Sequence, residues 1–259
     1  MILNAGCTIV EKVAEPSAVV LMLRPQSGLA QKITASEITI NPPSNIVEYT
    51  DAFGNLCQRA ILPGGEVHIE CSCTAEVSDA IAVNPNAGFT LVQNLPHEVL
   101  QYLLPSRYCP SDLMLKLASE IAGKIVPGYQ QVEAIRSWIQ QNIRYQYGFS
   151  TPSTSALETA HSRTGVCRDF SHLGITLCRA LRIPARSVVG YLYQLDPMDL
   201  HAWFEAFVGG RWYTFDATQA EPQGNRIVLS YGRDAADVAQ VSVYGPVEAG
   251  TVTAWVNLA

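Results

Sequence analysis

The spacing of apolar residues changes near residue 105, and this change constrains the fold more than any other feature of the sequence. Before it, short β-branched segments are separated by turn residues such as Pro42-Pro43 and Pro63-Gly64-Gly65. After it, apolar residues recur every three or four positions. A period of about 2 is typical of strands and one of about 3.6 of helices. The sequence therefore predicts a β-rich domain over residues 1–104 and a second domain over residues 105–259.

The first domain is predicted to contain several short strands. The segments are AVVLMLRP, ITASEITI, NIVEYTD, LCQRAIL and EVHIECSCTAEV. Strands at this spacing, broken by turn signals, favour a sandwich or a small barrel. Strand alternation would place Cys71 and Cys73 on one side of a sheet, and no partner pair lies at zinc spacing, so we predict no metal site.

The second domain is predicted to hold three long helices followed by strands. Ser111 caps the first helix, and Ser155 with Glu158 forms a capping box for a shorter one. The apolar faces of the long helices are Leu113, Leu117, Ile121 and Ile125; Val132, Ile135, Ile139 and Ile143; and Phe170, Leu173, Leu177 and Leu181. Strands follow over 186–195, 200–208 and 211–218. The tail from residue 226 is predicted to add strands at the edges of the same domain's sheet.

Charge and composition exclude several classes of partner. Lys and Arg total 17 against 23 Asp and Glu, a formal net charge of −6, so we expect no nucleic-acid partner. Apolar runs such as 18–23 are far shorter than the roughly 20 residues of a membrane-spanning helix. The start of the chain lacks the pattern of a signal peptide. Seven cysteines cannot all pair, so we expect free thiols and a cytoplasmic location.

Cys167 is the candidate nucleophile because it opens the third long helix. The first turn of a helix has unpaired backbone N–H groups and the positive end of the helix dipole, and both stabilise a thiolate. The same N–H groups can bind the oxyanion of an acyl intermediate. The alternative is a buried core cysteine, which is the interpretation we give to Cys178.

A hairpin supplies the base and the group that orients it. Gly209-Gly210 predicts a two-residue turn in which Val208 faces Arg211. That register makes Asp216 the diagonal neighbour of His201 on one face, within side-chain reach. A three-residue turn would separate them. Each residue has an ordinary structural alternative, but a Cys–His–Asp set in this arrangement is what nucleophilic catalysis requires.

Other polar residues are weaker candidates. His172 lies on the same helix but points away from Cys167, so we predict a structural role. His97 and His161 lie in loop-like surroundings without partners. Glu205 is predicted to be solvated or to support the histidine from further along the hairpin.

Three segments resemble the bacterial transglutaminase-like family. They are WIQQNIRYQYG (138–148), GVCRDFSHLGITLCRALRIPARSVVGY (165–191) and DLHAWFEAFVGGRWYTFDAT (199–218). The resemblance implies an α+β, papain-like transglutaminase core preceded by an N-terminal β-sandwich-like domain. It also implies Cys167 as nucleophile, His201 as base and Asp216 as the third member. Tyr147 is the candidate second oxyanion donor, and Arg168 is a candidate for the oxyanion site or the cleft.

The resemblance implies a cysteine protease or amide hydrolase that acts through a thioester acyl-enzyme on a peptide or protein, although the residues alone do not separate water from an amine as the acceptor. No cofactor is expected, and no aspartate-rich loop suggests calcium. One alternative is a transglutaminase that transfers the acyl group to an amine. Another is a binding module without activity. The oligomeric state is not readable from the sequence.

Overall fold

The computed structural model describes residues 1–28 and 30–259, which form four α-helices and fourteen strands. The helices are α1 (Leu115–Ala122), α2 (Tyr129–Asn142), α3 (Ala156–Ser162) and α4 (Cys167–Ala180). The first six strands are β1 (Ile2–Val13), β2 (Ser17–Leu21), β3 (Gln31–Asn41), β4 (Val47–Thr50), β5 (Leu56–Leu62) and β6 (Gly65–Val77). The next five are β7 (Arg144–Tyr145), β8 (Thr164–Gly165), β9 (Ala185–Leu192), β10 (His201–Val208) and β11 (Arg211–Phe215). The last three are β12 (Arg226–Gly232), β13 (Val241–Tyr244) and β14 (Val247–Leu258).

Two antiparallel four-stranded sheets, in the orders β14-β1-β6-β3 and β13-β2-β5-β4, share an apolar core. Alternation sets which residues enter it: every second residue of β6 from Val67 to Val77 is buried. Cys71 and Cys73 therefore face the same side, as predicted. The five predicted strands are confirmed, and β1 is an additional strand that the sequence analysis did not identify.

The C-terminal tail divides between the sheets. β12 is an edge strand of the third four-stranded sheet, ordered β11-β10-β9-β12. β13 instead pairs with β2, and β14 pairs with β1. The prediction that the tail extends the sheet of the second domain is therefore right for β12 and wrong for the last two strands. Those strands cover edges that β1 and β2 would otherwise leave unpaired. The division at residues 104 and 105 stays a prediction.

Helix α4 is the centre of the second core. All of its residues from Asp169 to Arg179 are buried. Gly174 lets the helix approach β10, because a Cβ at that position would lie 2.5 Å from the ring of Phe204. The Ser171 hydroxyl donates to the carbonyl of Trp203 at 2.8 Å. These two contacts fix the first turns of α4 beside the first residues of β10.

The helix predictions hold except at α1. Val132, Ile135 and Ile139 are fully buried on α2, as expected. The predicted first helix is shorter than its apolar pattern, because Ser111–Leu113 forms a 3₁₀ turn and Leu113 is 64% exposed. The buried residues of α1 are Ala118 and Ala122, whose small side chains allow close packing. Among the described residues, no helix is both long and apolar enough to cross a membrane.

Candidate active site

Cys167 is the first residue of α4, as the sequence predicted. The backbone enters the helix through Val166 in an extended conformation, and the Val166 N–H donates to the Asp169 carboxylate at 2.9 Å. This contact fixes the first turn. Cys167 is partly exposed, whereas the other six cysteines are buried. It is therefore the thiol that a dissolved reagent or substrate can reach.

The predicted hairpin register is confirmed. Val208 faces Arg211, and Phe204 faces Phe215. Gly209 and Gly210 both have positive φ, 56° and 80°, which is the conformation that a two-residue hairpin turn of this kind requires.

The predicted contact between His201 and Asp216 follows from that register. Nε2 of His201 lies 2.7 Å from Oδ2 of Asp216, and both side chains are buried. The sequence alone was sufficient to bring these two residues together.

His201 also lies near the thiol. Nε2 of His201 is occupied by Asp216, and the Cys167 side chain lies close enough to the ring to influence its charge state. Burial by itself lowers the pKa of His201, but the Asp216 carboxylate and the neighbouring Cys167 outweigh it and raise the pKa to about 9. An imidazolium ring is therefore the favoured form at neutral pH.

Asp216 stays ionised although it is buried. Burial raises its pKa, but His201, Arg226 and the Thr218 hydroxyl together bring the pKa well below its usual range. Thr218 donates to Oδ1 from its hydroxyl at 2.7 Å and from its N–H at 3.0 Å. Each carboxylate oxygen therefore accepts hydrogen bonds from named donors.

Arg226 was not among the sequence candidates. Its Nη2 donates to Oδ2 of Asp216 at 2.8 Å, and its guanidinium lies 4.8 Å from the ring centre of Trp203. The available signal was an arginine at the start of the apolar segment RIVLSYG, because charged residues are rarely buried without a partner.

A cavity of about 310 Å³ opens beside His201. Its wall is rich in aromatic and apolar side chains and includes Tyr145, Tyr147, Phe170, Leu195 and Asp196. Tyr147 therefore lies in the wall of this cavity, and its role as an oxyanion donor stays a prediction.

Arg168 is directed elsewhere. Its guanidinium donates to the Thr151 carbonyl at 2.8 Å and also binds Ser150 and Asp169. It anchors the loop before α3 and is not among the residues that line the described cavity, and its role at the oxyanion site or the cleft stays a prediction.

Tyr145 lies near the nucleophile. Burial, followed by the neighbouring Cys167 and Tyr147 groups, raises the pKa of the Tyr145 hydroxyl, while the Cys167 backbone opposes the shift. Tyr145 therefore remains a neutral phenol, which keeps a proton to donate.

The remaining candidates lie outside the cleft. His172 is fully buried, stacks on Tyr108 with ring centres 5.1 Å apart and accepts the N–H of Ala235 at 3.1 Å, as its predicted structural role requires. Glu205 is not solvated: it is buried in an ion pair with Arg186 at 2.6 Å.

Comparison with known proteins agrees with this geometry. Residues 115–217 match the family described as transglutaminase-like superfamily, and residues 11–78 match the bacterial transglutaminase-like N-terminal region. A crystal structure from Cytophaga hutchinsonii, described as a "putative cysteine protease", is 35% identical, with a TM-score of 0.91. That match covers 99% of this chain and 90% of the other. This chain belongs to the transglutaminase-like superfamily.

Two mycobacterial proteins without assigned functions are more distant relatives. ML0607 of Mycobacterium leprae is 27% identical, and the match covers 84% of this chain and 82% of ML0607. Rv2569c of Mycobacterium tuberculosis is 28% identical, and that match covers 83% of this chain and 77% of Rv2569c. The transglutaminase-like region of this chain contains Cys167, His201 and Asp216, and the predicted α+β, papain-like fold with its strand-rich N-terminal part is confirmed.

Proposed function

We propose that this chain is a cysteine hydrolase that cleaves amide bonds of a peptide or protein through a thioester. The observation that carries the proposal is the arrangement at the start of α4. A partly exposed Cys167 lies near His201, and Nε2 of His201 lies 2.7 Å from Oδ2 of Asp216. The description of the C. hutchinsonii structure names the same class of enzyme.

The charge state of His201 suits the first half of the reaction. With its pKa raised to about 9, the ring holds a proton at neutral pH. The Cys167 sulfur attacks the carbonyl carbon and forms a C–S bond. The imidazolium then gives its proton to the departing amine as the C–N bond breaks, leaving a thioester and a neutral ring.

Hydrolysis reverses these roles. The neutral His201 ring removes a proton from water, whose oxygen attacks the thioester carbonyl. The C–S bond breaks, the carboxylic acid leaves, and the thiolate–imidazolium pair is restored. Asp216 keeps its negative charge throughout and orients the ring.

The first turn of α4 and Tyr145 stabilise the oxyanion in this proposal. Backbone N–H groups at a helix start are donors for a developing negative charge. The Tyr145 hydroxyl, which lies near Cys167, is the second, side-chain donor in this proposal and comes from upstream of the nucleophile. Tyr145 thus takes the role for which the sequence suggested Tyr147.

Water is the acceptor that the cleft favours. Tyr145 and Tyr147 are 40% and 51% exposed, so the cavity beside His201 is open to solvent. A primary amine is the alternative acceptor, because the carboxylate of Asp196 on the same wall can attract an ammonium group.

Iodoacetamide labelling with intact-mass measurement tests the nucleophile. We expect one rapid label on the native protein and none on the Cys167→Ala variant, because the other six thiols are buried. A Cys167 that does not react would favour a binding module without activity.

A peptide substrate library tests the reaction. Cys167→Ala should abolish cleavage while the circular dichroism spectrum stays unchanged, and cleavage retained by this variant would reject the proposal. A glutamine peptide assayed with and without monodansylcadaverine separates the two acceptors: amine incorporation above hydrolysis would favour the transglutaminase.

A further inference from the structure

The outer face of the β14-β1-β6-β3 sheet carries a cavity of about 460 Å³, larger than the one beside His201. It lies on the side of the sheet opposite the apolar core. Asn4 and Thr74 contribute to its wall, while their neighbours Leu3 and Ala75 are buried in the core. The cavity therefore belongs to the sandwich and is independent of the proposed catalytic site.

Strand register explains why there is a depression on this face. One cross-strand row reads Trp255, Gly6, Ser72 and Glu37. Gly6 has no side chain and leaves room for the indole above it, and the short side chain of Ser72 keeps the sheet low between the indole and the carboxylate of Glu37.

The neighbouring row reads Asn257, Asn4, Thr74 and Ala35. It places two amides and a hydroxyl along one side of the depression.

Trp255 lies down over the sheet. A Cβ at Gly6 would be 2.7 Å from Cζ2 and 2.9 Å from Cε2 of the indole, so the six-membered ring occupies the space directly above the glycine. Trp255 remains 37% exposed. An indole seated on the backbone in this way is a rigid aromatic surface at one wall of a polar cavity.

The polar groups around it have bonding capacity left for a ligand. Asn4 uses Oδ1 to accept the Thr74 hydroxyl at 2.7 Å, and its amide N–H groups remain available. Asn257, Ser72 and Glu37 are exposed. Of the described residues that form the wall, none is Lys or Arg, so an anionic ligand such as phosphate has no cation to bind.

We propose that this cavity binds a neutral saccharide. The C–H groups on one face of a sugar ring carry partial positive charge and pack against the negative face of an indole. Its hydroxyl groups are both donors and acceptors, which suits a wall of amides, hydroxyls and one carboxylate. A purely apolar side chain would instead leave those polar groups unsatisfied. The site would hold the protein on a glycan while the cleft at Cys167 stays free.

The test is binding of four soluble oligosaccharides, cellohexaose, chitohexaose, xylohexaose and laminarihexaose, to the wild-type protein. Calorimetry measures affinity, and the indole ¹H–¹⁵N NMR signals report which tryptophan is contacted. We expect at least one sugar to bind at millimolar concentration or below and to shift the signal of Trp255. Trp255→Ala and Asn257→Ala should each weaken binding at least about tenfold.

Two variants separate binding from folding. Tyr244→Ala removes an exposed aromatic side chain from β13, in the other sheet, and should leave binding unchanged. Glu37→Gln replaces the exposed carboxylate of Glu37 by an amide. It should weaken sugar binding without altering the unfolding transition. Failure of all four sugars to bind overturns the proposal, as does binding that survives Trp255→Ala. A protein dimer that Trp255→Ala dissociates would make this face a self-association surface instead.

Discussion

Nη2 of Arg226 donates to Oδ2 of Asp216 at 2.8 Å, and the same oxygen binds Nε2 of His201 at 2.7 Å. All three side chains are buried. One carboxylate therefore holds a histidine from β10 and an arginine from β12 at the same time. This shared oxygen joins the edge strand β12 to the candidate catalytic pair.

Asp216→Asn should lower the pKa of His201 from about 9 towards its ordinary value of 6.5. The amide removes the larger of the two influences that oppose burial, and burial disfavours the imidazolium. NMR titration of the His201 ring measures this directly. The alkaline limb of kcat/KM should move in the same direction, and kcat should fall about 10²–10⁴-fold. An unchanged ring pKa would show that Asp216 does not set it.

Arg226→Met should destabilise the fold by about 3–5 kcal/mol, because it leaves a buried carboxylate with one charged partner fewer. The same variant should raise the pKa of Asp216, because Arg226 is one of the groups that lower it. Urea unfolding of Arg226→Met, Asp216→Asn and the double variant forms a cycle. The double variant should cost less than the sum of the two single variants. Additive costs would mean that the two residues act separately.

The sequence predicted the part of the site that local geometry determines. A two-glycine turn sets the hairpin register, and the register sets the contact between His201 and Asp216. Cys167 could be placed because Gly165 and Val166 precede a clear helical pattern. In both cases the information lies within a few residues of the feature that it determines.

Contacts distant in sequence could not be predicted in this way. Arg226 reaches Asp216 only because β12 pairs with β9, and β14 returns to β1 across almost the whole chain. Nothing in the sequence around Gly174 indicates that the ring of Phe204 packs against it. These placements depend on the packing of whole sheets, which apolar spacing does not encode.

Tyr145→Phe should lower kcat about 10²-fold or more with little change in KM, if its hydroxyl donates to the oxyanion. Tyr147→Phe is the matched control, because Tyr147 lines the same cavity and its ring centre lies 5.4 Å from that of Tyr145. Steady-state kinetics of both variants decides the assignment. A larger loss in Tyr147→Phe would return the oxyanion role to the residue that the sequence suggested.

His172 makes stability depend on pH in a window that the catalytic pair does not share. Burial lowers the pKa of His172 to about 4, while Asp234 opposes the shift. Asp169 also raises the pKa, and Arg168 and Arg179 lower it. The folded pKa therefore lies below the ordinary value of 6.5, and the unfolded chain takes up the proton first as the pH falls.

His172→Gln should therefore flatten the loss of stability between pH 6.5 and about 4. The wild-type contribution is fully present above pH 6.5, and it falls by up to about 1.4 kcal/mol per pH unit through that window. The variant loses the stacking on Tyr108 and should be less stable at neutral pH by about 1–3 kcal/mol. Urea unfolding across the window measures both effects, with the exposed His161→Gln as the control. If His172→Gln kept the wild-type slope, the acid sensitivity would have to come from other groups.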